Sequence, residues 1–185
     1  MATILIPLAT GFEEIEAVSL IDVLRRADIQ VIVAALDEAK SVKGAHGISI
    51  KSECSIKTIT AKDIDMILLP GGAGGTTLLS EDSYTQELLK DMKKEDKTIG
   101  AICAAPYALK TAGVLSKSYT CYPSFEKKIG IEGYKPGQKV VEDGNVLTSR
   151  GPGTAICFAL HIVKKFVGEE KYNELKDGLL AGSCE

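Results

Sequence analysis

The sequence predicts an α/β protein in which a doubly wound, mostly parallel sheet carries helices on both faces. Three observations predict this class: short apolar segments alternate with helical ones, several of them run straight into glycine or proline loops, and no linker or repeat divides the chain. With 185 residues, 45% of them hydrophobic and 25% charged, the chain is long enough for one domain with a buried core. We therefore assign residues 1–185 to a single domain.

The first half of the chain supplies three core strands. Largely apolar residues predict strands over Ala2–Leu8, Gln30–Leu36 and Asp65–Leu69. Between the first two, Glu13–Ala27 has a helical period, which is set by Ile15, Val18, Ile21 and Leu24. Two glycines and two alternating isoleucines in Lys43–Ser52 predict a short strand or a hairpin.

The second half continues the alternation of strands and helices. Thr98–Ile102 is short and apolar, and it predicts a strand that turns at Cys103 into a helix ending at Gly113. The other predicted elements are helical stretches over Thr76–Leu79 and Tyr84–Met92, a hairpin over Val140–Leu147 that leads to Thr148-Ser149-Arg150, an apolar helix over Thr154–Val167 and an amphipathic helix over Glu169–Leu180.

Ligands of doubly wound sheets gather beyond the carboxyl ends of the strands. We therefore expect a functional site where four predicted loops converge on one rim. These loops are Thr10-Gly11-Phe12, Pro70-Gly71-Gly72, Ile102-Cys103-Ala104 and Arg150-Gly151-Pro152.

The charge pattern favours neither a nucleic-acid nor a membrane partner. The net charge is −3, and acidic and basic residues are interspersed without a basic stripe. The longest apolar runs are too short to span a bilayer, and the first residues lack the pattern of a signal peptide. The sequence therefore predicts a cytoplasmic protein.

The five cysteines are widely spaced and form no CxxC motif, which favours neither a disulfide framework nor a zinc site. Free thiols fit a reducing compartment, and most of these residues are expected to be small core side chains. Only two histidines are present, so we expect no metal centre. His161 lies in an apolar helical run and is interpreted as a packed or surface residue, whereas His46 lies between loop glycines and is expected to be exposed.

Cys103 is the candidate nucleophile, because it occupies a tight strand-to-helix turn with alanines as neighbours. The start of the following helix offers unpaired N–H groups and a partial positive charge, both of which favour thiolate over thiol. We therefore expect the pKa of Cys103 to lie below that of a free cysteine. A buried structural cysteine is the alternative interpretation.

Two further features belong to the same rim. The run Pro70–Gly75 ends a strand with glycine N–H groups that can form an anion nest or an oxyanion hole, although a tight turn explains it equally well. Glu16 lies one residue past Ile15 and one turn before Leu20, so its side chain can lean toward the rim. A carboxyl facing a thiolate there has a raised pKa and can carry a proton. Glutamates that only complement the helix dipole are the alternative.

Four motifs together resemble the DJ-1/ThiJ/PfpI family, on the branch of the parkinsonism-associated protein deglycase, over nearly the whole chain. The motifs are Gly11-Phe12-Glu13-Glu14-Ile15-Glu16, Leu69-Pro70-Gly71-Gly72, Ala101-Ile102-Cys103-Ala104-Ala105-Pro106 and Thr148-Ser149-Arg150-Gly151-Pro152-Gly153-Thr154.

The resemblance implies a flavodoxin-like homodimer without a cofactor. It implies Cys103 as the reactive cysteine, Glu16 as its protonated partner, and the N–H groups of Gly72 and Ala104 as the cradle of an oxyanion or an oxidised sulfur. Other residues expected to line the site are Gly71, Tyr122, Arg150 and His46. The activities that it implies are a glutathione-independent glyoxalase that converts methylglyoxal to lactate, a protein deglycase, a chaperone, and a peroxide sensor that forms cysteine sulfinate.

Two positions depart from relatives in this family. Tyr122 stands where some relatives have a histidine, and a phenol cannot act as a base near neutral pH as imidazole does. Ala104 stands where the protease branch has a histidine, so peptidase activity is not expected. The sequence leaves three hypotheses: an enzyme acting on dicarbonyls, a redox sensor or chaperone without significant turnover, and a small-ligand-binding domain with an inert cysteine.

Overall fold

A computed structural model describes residues 1–184 of the chain. Seven strands in this range form one sheet in the order β5-β2-β1-β6-β7-β9-β8, and β3 and β4 form a separate antiparallel pair. The β8–β9 pair is antiparallel, and the other neighbours in the large sheet are parallel. The strands are β1 (Thr3–Leu8), β2 (Gln30–Ala35), β3 (Ser41–Lys43), β4 (Ser49–Lys51), β5 (Cys54–Ser55), β6 (Met66–Leu69), β7 (Thr98–Ile102), β8 (Val140–Asp143) and β9 (Val146–Ser149).

Helices cover both faces of this sheet. They are α1 (Glu14–Arg26), α2 (Ala73–Glu81), α3 (Ser83–Lys94), α4 (Pro106–Thr111), α5 (Phe125–Ile129), α6 (Ala155–Phe166) and α7 (Glu169–Gly178). Successive side chains of a strand point to opposite faces, so β1 contributes Ile4 and Ile6 to a core shared with α1 and α6. Leu5 points the other way, into a core shared with α2, α3 and α4. The predicted doubly wound α/β class is therefore confirmed.

Some element boundaries differ from the predictions. The helix after Cys103 begins at Pro106 rather than at Ala104, because Ala104 and Ala105 form the turn that reverses the chain. Helix α2 begins at Ala73, before the predicted start at Thr76. The prediction missed its first turn because the two glycines there contribute no apolar period. The two-residue strand β5 and the five-residue helix α5 carry too few residues to show a period.

The buried face of α1 differs from the face that the sequence predicts from Ile15, Val18, Ile21 and Leu24. Its buried residues are Glu14, Glu16, Ala17, Leu20, Val23 and Leu24. Ile15 and Val18 instead are 60% and 49% exposed, close in sequence to the start of the helix. Ile48, between β3 and β4, is also 59% exposed. The backbone joins the two regions, because Ala45 N–H donates to Phe12 O at 2.9 Å.

The cysteines correct one expectation. Cys157 and Cys184 form a disulfide with a Cα–Cα distance of 4.9 Å, while Cys54, Cys103 and Cys121 are free thiols. The expectation of free thiols is therefore wrong for this pair. Cysteines that are far apart in the sequence can be close in space: α7 packs against α6, so residues 179–184, the C-terminal segment, lie beside α6. None of the helices in residues 1–184 combines the length and the apolar character needed to cross a membrane.

Candidate active site

Cys103 lies directly after β7, where the chain turns sharply. Its φ is +65°, in the left-handed region that a non-glycine residue adopts only at a cost of about 1–3 kcal/mol. Two backbone hydrogen bonds hold this conformation. Cys103 N–H donates to Ser149 O at 3.0 Å, and Tyr122 N–H donates to Cys103 O at 2.8 Å. The neighbouring strand and a later loop therefore fix the position of the thiol.

Glu16 reaches the same place from the first turn of α1. Its side chain is fully buried, and its Oε2 accepts a hydrogen bond from Gly71 N–H at 2.7 Å. Its Oε1 has no hydrogen-bond partner of ordinary geometry among residues 1–184, and the Cys103 thiol interacts with the carboxyl. Among the described residues, the Cys103 thiol is therefore the side chain that interacts with the buried Glu16 carboxyl.

Gly71 lies between the two reactive groups. A Cβ atom added at this position would lie 2.7 Å from Cβ of Cys103 and 2.8 Å from Oε2 of Glu16, closer than real Cβ contacts come. A side chain at position 71 would therefore push the thiol and the carboxyl apart. The sequence singled out Gly71 only as a lining residue, but its N–H orients the carboxyl.

The backbone at Gly72 and Ala104 faces the sulfur. Both N–H groups favour the ionised form of the sulfur and act to lower the pKa of Cys103. Gly72 has a φ of +91°, and a Cβ there would overlap Gly11 O, so this position requires glycine. Two N–H donors directed at one sulfur form a cradle that can hold negative charge on the sulfur or on an oxygen bound beside it.

Burial is the main influence on the acidity of the pair. Burial raises the pKa of Glu16 from 4.5 to about 7, against the smaller opposite effects of Cys103 and of Gly71 N–H. Burial and the Glu16 carboxyl also raise the pKa of the Cys103 thiol, and the N–H groups of Gly72 and Ala104 offset this only in part. The expectation of a lowered thiol pKa is therefore wrong for this arrangement, because the carboxyl and the thiol compete for one negative charge.

The predicted lining residues occupy different positions. Tyr122 is 47% exposed, and its ring packs against Gly151. Arg150 is half-buried at the end of β9, where its N–H donates to Lys139 O at 3.3 Å. Neither side chain contacts the carboxyl of Glu16 among the hydrogen bonds of the described residues.

His46 belongs to a neighbouring cluster at the start of α1. Its Nδ1 lies 2.8 Å from Oε2 of Glu14, and its N–H donates to Oε1 of Glu14 at 2.6 Å. Burial raises the pKa of Glu14, but the hydrogen bonds from His46 and Ile48 outweigh it and lower that pKa to about 2. With Glu13, these groups offer three possible cation ligands within 4.8 Å of one another. Their hydrogen bonds explain the arrangement without an ion.

Sequence reasoning missed two contributors to the site. Ser149 supplies the carbonyl that holds Cys103 N–H, and its hydroxyl donates to Lys139 O at 2.8 Å. The Thr148-Ser149-Arg150 motif was a usable signal for this residue. Glu14, the second missed residue, anchors the β3–β4 hairpin to α1, and no local pattern separates it from Glu13.

Comparison with known proteins finds relatives over nearly the whole chain. Residues 2–165 match the model of the DJ-1/PfpI family. Protein dj-1beta of Drosophila melanogaster is 42% identical over 178 residues, which are 95% of each chain, and its crystal structure superposes with a TM-score of 0.93 over 97% of each chain. Glutathione-independent glyoxalase DJR-1.2 of Caenorhabditis elegans is 40% identical over 94% of this chain and 92% of its own.

A third relative is glutathione-independent glyoxalase DJ-1 of Schizosaccharomyces pombe, which is 33% identical over 97% of this chain and 98% of its own. The match to the family model and these nearly full-length similarities lead to one conclusion. The chain belongs to the DJ-1/PfpI family.

Proposed function

We propose that the protein is a cofactor-independent enzyme that converts reactive 1,2-dicarbonyls to 2-hydroxy acids, with Cys103 as the nucleophile and Glu16 as the proton carrier. The observation that carries this proposal is the buried Glu16 carboxyl, whose pKa is raised to about 7, against the Cys103 thiol. A proton carrier works best when its pKa lies near the working pH. Two similar proteins are named glutathione-independent glyoxalases, which supports the same reaction class.

The reaction with methylglyoxal begins at the aldehyde carbon. The Glu16 carboxylate takes the thiol proton as the Cys103 sulfur attacks, and the N–H groups of Gly72 and Ala104 stabilise the oxygen that gains the electron pair. Glu16 gives the thiol proton to this oxygen, which forms a hemithioacetal and restores the carboxylate. Glu16 then removes the proton from the former aldehyde carbon and returns it to the adjacent carbon, while the hydroxyl proton of the hemithioacetal passes to the neighbouring oxygen, so that a thioester of the 2-hydroxy acid forms. Water hydrolyses the thioester, which releases lactate and the free thiol.

The test is lactate formation from methylglyoxal by the purified protein. Cys103→Ala is the control, since it removes the sulfur and leaves the surrounding backbone in place. We expect lactate from the parent protein and none from this variant. Equal lactate from both would reject the proposed enzyme, and the same assay with glycated peptides would test deglycase action.

A second function is favoured by the cradle around the sulfur. Peroxide converts a cysteine to sulfenate and then to sulfinate, whose oxygens accept hydrogen bonds. The N–H groups of Gly72 and Ala104 and a protonated Glu16 are placed to donate them. Intact mass after stepwise peroxide addition tests this redox role: it predicts a product that stops at two added oxygens on Cys103.

The remaining alternatives are a chaperone and a small-ligand-binding domain with an inert cysteine. The lactate and peroxide assays separate the latter from both active-site proposals, because an inert Cys103 would neither support lactate formation nor add two oxygens. Protection of an unfolding client protein by the Cys103→Ala variant would assign chaperone action to a different part of the molecule.

Homodimer formation is proposed on the exposed apolar residues near the start of α1. Ile15, Val18 and Ile48 are each about half exposed or more, and burying such side chains stabilises association. Sedimentation at micromolar concentration should show a dimer, and Ile48→Lys should shift it toward monomer. A monomeric parent protein would reject this assembly.

A cytoplasmic location also stays a prediction, which fractionation of the source cells would test.

A further inference from the structure

One cavity of the described residues lies away from Cys103. Its volume is about 540 Å³, and it opens between the segment before β8, one side of α6, the start of α7 and the C-terminal segment. The residues that line it are Gly137, Gln138, Lys139, Val140, Cys157, His161, Lys164, Tyr172 and Cys184. The Cys157–Cys184 disulfide is therefore part of its wall.

Three contacts hold the C-terminal segment against this wall. The disulfide joins Cys184 to Cys157 on α6, Tyr172 Oη–H donates to Cys184 O at 2.8 Å, and Lys139 Nζ–H donates to Ser183 O. Cys184 is 4% exposed, while Cys157 is half-buried. Because the disulfide is the covalent contact, only hydrogen bonds and side-chain packing hold the segment once it opens.

The lining carries positive charge. Its ionisable side chains besides tyrosine are Lys139, His161 and Lys164, and no carboxylate of residues 1–184 lines the cavity. Lys164 lies 2.8 Å from Glu169, so its charge is partly neutralised, and His161 lies 2.7 Å from Glu142. Lys139 donates to Ser183 O and has no carboxylate partner among residues 1–184. Among the described residues, Lys139 is therefore the ammonium group that the cavity offers to an anion.

We propose that this cavity binds an anionic small-molecule thiol, which opens the Cys157–Cys184 disulfide by exchange and releases the C-terminal segment. A tripeptide thiol with free carboxylates has the required chemistry: its carboxylates meet Lys139, and its sulfur reaches the half-buried Cys157. This proposal uses neither Cys103 nor Glu16, so it stands or falls independently of the proposed enzyme.

The exchange consists of two successive thiol–disulfide displacement reactions. The incoming thiolate attacks Cys157 Sγ, a mixed disulfide forms, and Cys184 leaves as a thiolate that takes a proton from water. A second small thiolate then attacks the sulfur of the bound small molecule, which forms the oxidised small-molecule disulfide and frees the Cys157 thiolate, which is protonated in turn. The protein disulfide gains two electrons, and two small thiols lose them.

The experiment compares two thiols that differ in charge, because esterification removes both carboxylates of the tripeptide and adds two ethyl groups. Protein with the Cys103→Ala substitution, which removes the other reactive thiol, is first mapped under non-reducing conditions to establish the Cys157–Cys184 link. Reduction is then followed by intact mass with glutathione and with its diethyl ester, each at equal thiolate concentration. We expect glutathione to react about fivefold faster at low salt, as one solvent-screened charge pair allows.

Three controls assign the effect to the cavity. Lys139→Gln should remove the preference for glutathione, whereas Lys127→Gln, a change of an exposed lysine outside the cavity, should keep it. S-methylglutathione, which cannot exchange, should slow reduction by glutathione in the parent chain. Carboxypeptidase should trim the reduced protein past Cys184 and leave the oxidised protein intact there.

Each opposite result overturns the proposal. Equal rates with the two thiols, or a preference that persists in Lys139→Gln, would reject the anion site. Resistance of the C-terminal segment to carboxypeptidase after reduction would reject the release step. Free Cys157 and Cys184 in the map, still free after treatment with oxidised glutathione, would show that the protein does not form this disulfide.

Discussion

Cysteines occupy two different settings in this molecule, the carboxyl end of the sheet and the outer helical layer. At Cys103 the backbone does the positioning: hydrogen bonds from two distant segments fix a left-handed residue, and a buried carboxyl faces the sulfur. Cys157 and Cys184 instead meet across side chains of α6 and the C-terminal segment, beside an open cavity. We propose that reactivity depends on a shared proton in the first setting and on access of solvent thiols in the second.

Removal of the sulfur at Cys103 gives the sharpest contrast between the two settings. Cys103→Ala should lower dicarbonyl turnover by about 10³-fold or more, because no other side chain occupies the cradle of Gly72 and Ala104. Cys157→Ser should leave turnover within about twofold, since its sulfur lies outside the site. Steady-state kinetics on both variants measure this. A large loss in Cys157→Ser would show that the two settings are functionally linked.

The shared proton is tested at Glu16. Glu16→Gln should lower turnover by about 10²–10⁴-fold, because an amide can donate a hydrogen bond but cannot accept and return a proton. Glu16→Asp should retain more activity than Gln, since it keeps the carboxyl but draws it back by one methylene. Turnover in Gln equal to the parent value would show that Glu16 is not the proton carrier.

The rate of Cys103 alkylation should depend on the ionisation of Glu16. In the parent protein the rate should rise with pH through about 7, where the pair loses its first proton. In Glu16→Gln this rise near 7 should disappear. Rates measured with iodoacetamide from pH 5 to pH 10 check this, and an unchanged profile would contradict the pairing.

Stability should change with pH in a defined direction at Glu16. The folded pKa of about 7 exceeds the ordinary 4.5, so the folded state holds the proton more tightly, and the group becomes progressively more destabilising as pH rises from about 4.5 to about 7. The free energy of unfolding of Glu16→Gln, relative to that of the parent protein, should therefore increase by up to about 3 kcal/mol between pH 4 and pH 8. Urea unfolding of both proteins at the two pH values measures this, and a gain toward low pH would have the wrong sign.

Loss of the disulfide should affect stability rather than chemistry. Cys184→Ser should lower the free energy of unfolding by about 3 kcal/mol, as expected for a link that closes a loop between residues 157 and 184. Cys54→Ser, at a half-buried free thiol, is the control and should cost much less. Chemical unfolding without reductant compares them. Equal costs would mean that the link adds nothing to the folded state.

The smallest expected effect concerns Tyr122. Tyr122→His places an imidazole beside Gly151 at the mouth of the site, where it can act as a base near neutral pH. Turnover should rise several-fold, as hydrolysis of the thioester gains a base, while Tyr122→Phe should stay near the parent value. A loss of activity in the histidine variant would show that the phenol itself has a role.

The sequence predicts the sheet and the position of Cys103 in the turn after β7 well, because both depend on local patterns. Apolar strands followed by glycine loops fix the rim on which Cys103 and Gly72 lie. The acidity of the thiol escaped prediction, since it depends on how deeply Glu16 is buried by α1, a tertiary property. The disulfide escaped for a similar reason: 27 residues separate its cysteines, and the return of α7 onto α6 brings them together.

The strained turn at Cys103 also sets an order of events during synthesis. The carbonyl that holds Cys103 N–H belongs to Ser149, and the N–H that holds Cys103 O belongs to Tyr122, both later in the chain. A nascent chain that has emerged only as far as β7 lacks both restraints, and its Cys103 relaxes to an ordinary extended backbone. We therefore expect Cys103 to reach its native backbone conformation only after β9 has been synthesised, when most of the sheet can already be in place.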